Sequence, residues 1–77
     1  GQYEAILRRE PGNPIALNDL AWHLRTQNPE RALDLAEKAH RADRSDPRFA
    51  DTLGVILLAN GDLERALPLL AQAHEAM

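Results

Sequence analysis

Glu30-Arg31-Ala32-Leu33 returns as Glu64-Arg65-Ala66-Leu67, so position 30 recurs at 64, a step of 34. Ala39-His40-Arg41-Ala42 returns as Ala73-His74-Glu75-Ala76 at the same step. Asn13-Pro14 returns as Asp46-Pro47, from 14 to 47, a step of 33. A period near 34 with helical patterning means one helix pair per repeat, stacked side by side into an α-solenoid.

Working outward from the repeat, three segments open with the same pair: Asn13-Pro14, Asn28-Pro29 and Asp46-Pro47. Asn or Asp at a helix N-cap accepts a bond from a free N–H of the first turn. Proline just inside fits because its missing N–H has no intrahelical partner there. A fourth start is Asp62, after an Asn60-Gly61 pair suited to ending a helix in a left-handed conformation. The sequence therefore predicts four full helices at about 14–26, 29–43, 47–60 and 62–76, and a partial one over 2–9 that ends before Pro11-Gly12. Short connections make successive helices antiparallel.

Apolar spacing agrees. Leu17, Leu20, Ala21 and Leu24 form an i, i+3, i+4, i+7 stripe, repeated by Ala50, Leu53, Gly54 and Leu57. Ala32, Leu35, Ala36, Ala39 and His40 line the second helix, and Ala66, Leu69, Leu70, Ala73 and His74 its copy. Small residues recur where helices must approach closely, Ala21 against Ala32 and Gly54 against Ala66. Pro68 breaks the pattern: it removes a bond to the Glu64 carbonyl and predicts a bend, or a first turn that is not α-helical.

Composition bounds the rest. Seventy-seven residues form one small domain with a modest core. There are no cysteines, hence no disulfides or thiolate metal sites. The net charge of −3 is spread along the chain, with no basic stripe for nucleic acid. No apolar run approaches the ~20 residues that span a bilayer. The chain opens inside an element, so the expectation is a piece of a longer array.

These residues resemble the tetratricopeptide repeat (TPR) family. The likeness rests on Leu20-Ala21 and Leu53-Gly54, on Leu24 and Leu57, on the turn Asn60-Gly61-Asp62-Leu63, and on the alanines 32, 66, 39 and 73. Tyr3, Leu7 and Pro11 look like the tail of a preceding repeat. The division it implies is 1–12 for the end of a preceding second helix, 13–45 for one repeat and 46–77 for the next. Two departures stand out. The first inner turn, Thr26-Gln27-Asn28-Pro29, is one residue short and lacks its glycine, and the large aromatic usual early in the first helix is Leu17 or Ala50. The runs Leu17-Asn18-Asp19-Leu20-Ala21-Trp22 and Asp51-Thr52-Leu53-Gly54-Val55 are similar to bacterial TPR proteins, including ones associated with exopolysaccharide export and the PEP-CTERM/exosortase system. The resemblance implies a right-handed superhelix acting as an adaptor, whose concave groove, lined by the first helix of each pair, holds a peptide or helix of a partner protein.

Trp22 lies next to the stripe residue Ala21 and so points off the core. Ile15, Asn18, Trp22 and Arg25 share that second face, and Arg48, Asp51, Val55 and Leu58 occupy the matching face of the next repeat. Stacked, they make a mixed groove with an aromatic centre, Trp and Arg being enriched at binding hot spots. The competing reading has Trp22 packing against a neighbouring helix. The family's best-understood ligand mode clamps a C-terminal carboxylate with lysines and asparagines. No lysine occurs in either first helix, which argues against it.

Other chemistry finds little support. His40 and His74 are equivalent by repeat, about one helix pair apart, too far to share a metal at ~2 Å ligand distances. Thr52 and Asp51 have no histidine in reach, and His23 has Thr26 and Gln27 where a carboxylate would stand. The expectation is no enzyme, no cofactor and no metal. A further possibility is a homo-oligomer, or a spacer within a larger array, acting through end faces formed by Tyr3, Ile6 and Leu7 and by Leu69, Leu70, Ala73 and Met77.

Overall fold

A computed structural model of the protein describes residues 12–76. Within them the architecture is all-α, with helices α1 (Pro14–Leu24), α2 (Pro29–Ala42), α3 (Pro47–Ala59) and α4 (Leu63–Ala76). The expected partial helix over 2–9, with Tyr3, Ile6, Leu7 and Pro11, lies outside the described residues, as does Met77.

Each helix starts where a side-chain oxygen is available for the orphan N–H groups of a first turn. Asn13 Oδ1 accepts from the amides of Ile15 and Ala16 at 3.0 and 3.2 Å. Asn28 Oδ1 accepts from Arg31 N–H at 3.3 Å, Asp46 Oδ1 from Arg48 N–H at 2.9 Å, and Asp62 Oδ1 from Arg65 N–H at 3.3 Å. Helix α4 thus begins at Leu63, with Asp62 as its cap.

The two inner turns differ, and the difference accounts for the unequal steps. After α3, the Gly61 N–H donates to the Leu58 carbonyl at 3.0 Å and the Asp62 N–H to the Leu57 carbonyl at 2.9 Å. This is the Schellman arrangement, with Gly61 at φ 84°, the one positive φ among the described residues. Replacing Gly61 by Ala forces a Cβ into the left-handed region and is expected to lower stability by about 1–2 kcal/mol, read as a reduced urea midpoint with unchanged slope. After α1 the chain stays right-handed: Arg25 is the C-cap at φ −55°, its N–H donating to Trp22 at 3.4 Å, and the Asn28 N–H closes on the Leu24 carbonyl at 2.8 Å. That tighter exit ends α1 at Leu24, two residues before the expected end, and requires no glycine.

The core forms where the helices face one another. Leu17, Leu20 and Ala21 of α1 meet Ala32, Leu35, Ala36 and Ala39 of α2, continuous with Phe49, Leu53, Ile56 and Leu57 of α3 and Ala66 of α4. Helices α1 and α2 pack as one hairpin, α3 and α4 as another, and α2 and α3 join them. The Arg65–Glu37 ion pair at 3.1 Å and the Gln72 Nε2 bond to the Arg44 carbonyl at 2.7 Å also link the hairpins. Gly54 lies tight on α4: a Cβ there would meet Leu70 Cγ and Cδ2 at 2.8 Å.

Two expectations are corrected, and one repeat-equivalent pair differs in burial. Of the two alternatives expected at Pro68, the non-α first turn is overturned: Ala66 N–H donates to the Asp62 carbonyl at 3.1 Å and the helix continues through Pro68. Pro68 lies on the exposed side, where water can hydrate the Glu64 carbonyl it leaves without an intrahelical donor. His40 and His74, equivalent by repeat, differ in burial: the first is half-buried and the second exposed. Ala73 is fully buried against the hairpin and offers nothing to an end face, while Leu69 and Leu70 are half-buried. The large exposed apolar residues of α4 are Leu63 and Leu67.

Candidate functional site

Helices α1 and α3 stand side by side, and between them opens a cleft of about 320 Å³ lined by Asn18, Asp19, Trp22, Pro47, Arg48, Asp51 and Thr52. Four residues of the face read from sequence meet there: Asn18, Trp22, Arg48 and Asp51. Ile15 and Leu58 are exposed, Arg25 and Val55 half-buried, and all four lie outside the cleft wall. Asp19, Pro47 and Thr52 were missed. The signal was available, because Ile15, Asn18, Asp19 and Trp22 complete an i, i+3, i+4, i+7 set.

Trp22 is 39% exposed, not a core residue. Its indole is held from one side: the Arg25 guanidinium stacks 3.9 Å from the ring centroid, and Arg25 Nη1 donates to the Trp22 carbonyl at 2.6 Å. Stacking of a cation on an exposed indole stabilises by about 0.5–1 kcal/mol, enough to favour one ring orientation.

The polar groups of the cleft are mostly acceptors. Arg48 is engaged with the cap residue Asp46, its Nη2 at 2.7 Å from Oδ2 and its Nε at 3.1 Å from Oδ1. The bond to Arg48 lowers the Asp46 pKa from its ordinary value. Asp19 and Asp51 remain as carboxylates on the wall. Asn18 Oδ1 is buried with no hydrogen-bond partner among the described residues. A partner arriving here meets two carboxylates and an indole, with the Asn18 amide oxygen buried behind them.

No group of three or more His, Cys, Asp or Glu residues that could hold a metal ion occurs among the described residues. No described helix is long and apolar enough to cross a membrane.

Capped antiparallel hairpins stacked through a continuous core, with an open cleft between their first helices, define a helical-repeat protein. No family model matches the chain and no solved structure matches it. The chain is 39% identical over 70 residues to a TPR repeat-containing protein of Pseudomonas aeruginosa, an alignment covering 88% of this chain and 12% of that protein. That likeness supports the tetratricopeptide repeat family. It spans 12% of the length of the curated relative it matches.

Proposed function

We propose that this segment is a non-enzymatic protein-interaction scaffold whose cleft between α1 and α3 receives a peptide or helix of a partner protein. Its repeats are those of residues 13–45 and 46–77. The observation that carries the reading is Trp22, left 39% exposed and oriented by Arg25 at the rim of a 320 Å³ cleft. An exposed, oriented tryptophan loses little conformational freedom on binding and gains a large contact. The acceptor-rich wall favours a partner that brings donors, whether backbone N–H groups or basic side chains. It disfavours capture of a terminal carboxylate, because Arg48, the cleft's own cation, is already paired.

Peptides selected from a displayed random library on the whole chain are expected to bind Trp22→Ala at least about tenfold more weakly, with the helical circular dichroism unchanged. Peptides indifferent to Trp22→Ala, or a variant that unfolds, would sink this reading in favour of a packing role.

A second reading has its own observation. Leu67 is 60% exposed, whereas its repeat equivalent Leu33 is half-buried against the core. A spacer or self-association role through α4 would act through Leu63 and Leu67. In that case Trp22→Ala would leave assembly and partner capture alike unaltered.

A further inference from the structure

On a different face, α2, α3 and α4 enclose a second cleft, of about 270 Å³, lined by Glu37, His40, Arg41, Arg44, Leu53 and Arg65. Three guanidiniums and an imidazole share this wall with a single carboxylate, in a chain whose net charge is −3. Helix α3 contributes only the apolar Leu53. We infer that this cleft is a binding site for a phosphate-class oxyanion, with Arg41 and Arg44 as its donors and His40 beside them.

The pairing pattern supports the assignment. Arg65 is engaged, its Nη2 at 3.1 Å from Glu37 and its Nη1 at 3.9 Å from Asp62. Among the described residues the Arg41 and Arg44 side chains have no hydrogen-bond or ion-pair partner. The nearby acid Asp43 is engaged locally, accepting from the Ser45 hydroxyl at 2.6 Å and its amide at 3.1 Å. Arg44 is not on a loose tail. Its carbonyl accepts from Gln72 Nε2 of α4 at 2.7 Å, which fixes the loop backbone beside the cleft.

His40 adds an observation independent of charge. Its Nε2 is buried with no hydrogen-bond partner among the described residues. A buried polar atom without a partner is destabilising unless something completes it. Burial first, and then the charge of Arg44, hold the His40 pKa below its ordinary value. Nε2 itself is closed off from the cleft, so direct contact with an anion falls to the two guanidiniums, and His40 responds through the charge of its ring. A bound dianion reverses the local field and favours the imidazolium, which couples occupancy to the ring's titration. Arginine's planar fork matches phosphate oxygens in bidentate fashion, a geometry a lone lysine cannot supply.

The test is an NMR titration of the whole chain with inorganic phosphate, with a short phosphoserine peptide and with acetate, following backbone amides and the His40 ring. A saturable response centred on His40, Arg41 and Arg44 is expected, with the His40 pKa rising in phosphate. Arg44→Gln is expected to weaken binding about tenfold. Glu37→Gln, which frees Arg65, should strengthen it, and Arg31→Gln, at the other end of α2, should leave it unaltered. Arg41→Gln serves in place of Arg44→Gln if the latter perturbs the fold by circular dichroism. Tighter binding of the phosphoserine peptide than of inorganic phosphate assigns the site to a modified protein, and the reverse assigns it to the free ion. An equal response to acetate, equal effects of Arg31→Gln and Arg44→Gln, or no saturable response to either phosphate would overturn the assignment.

Discussion

Phe49→Ala is expected to unfold most of the chain at 37 °C. Phe49 is the third residue of α3 and is 2% exposed, inside the core shared by both hairpins. Truncating a buried phenylalanine costs about 3–5 kcal/mol, part from lost transfer and part from the cavity left behind. A domain of this size holds roughly 4–12 kcal/mol at ~0.05–0.15 kcal/mol per residue, and a small helical repeat lies toward the low end. The cavity would open where the two hairpins join, so they should loosen together. Thermal melts by circular dichroism would show it as a large fall in midpoint, with loss of cooperativity. Phe49→Leu, which keeps most of the volume, should lose far less. A wild-type melt for Phe49→Ala would mean that this region of the core can collapse around the deletion.

Gly54→Val should be nearly as damaging, for the opposite reason. A Cβ at Gly54 already reaches 2.8 Å from Leu70 Cγ and Cδ2, and 3.4 Å from the Ala66 carbonyl oxygen. With alanine, the half-buried Leu70 side chain can swing aside, and a gain of about 1 kcal/mol in helix propensity offsets part of the strain. Gly54→Ala is therefore expected to destabilise by only about 1 kcal/mol. Valine adds two methyl groups directed at the neighbouring helix, whose carbonyl cannot rotate away. The result is overpacking of about 3 kcal/mol that separates α3 from α4. Adding Leu70→Ala should recover part of that loss, because only the side-chain share of the clash is relieved. Urea titrations of the wild type, Gly54→Val, Leu70→Ala and the double variant would measure the coupling directly. Full recovery would place the whole clash on Leu70 and none on the Ala66 backbone.

Much of the fold could be read from residue types alone. Asn-Pro and Asp-Pro pairs mark starts because capping chemistry is local. The i, i+3, i+4, i+7 stripes mark buried faces because one flank of each helix always meets its hairpin partner. What a single stripe does not reveal is burial on a second flank. Helix α3 is covered by α2 as well as α4, so Phe49, Thr52 and Ile56 are buried along with the stripe residues. Phe49 escaped notice because it sits one position before the expected aromatic slot at Ala50. Its counterpart Ala16 is small and equally buried. Arg48 could be placed on the groove face from spacing, yet its capture by Asp46 depends on side-chain geometry that spacing does not carry. The second cleft was invisible for a similar reason: His40, Arg44 and Arg65 come together only when α4 folds back beside α2.

The Arg25 stack on Trp22 has a spectroscopic consequence. Trp22 is the chain's single tryptophan, so its emission comes from the rim of the first cleft with no background from the core. Dehydration of that indole by an arriving partner would move the emission to shorter wavelength while the helices remain intact. The molecule thus carries its own optical label at the place where occupancy, and not folding, is the question.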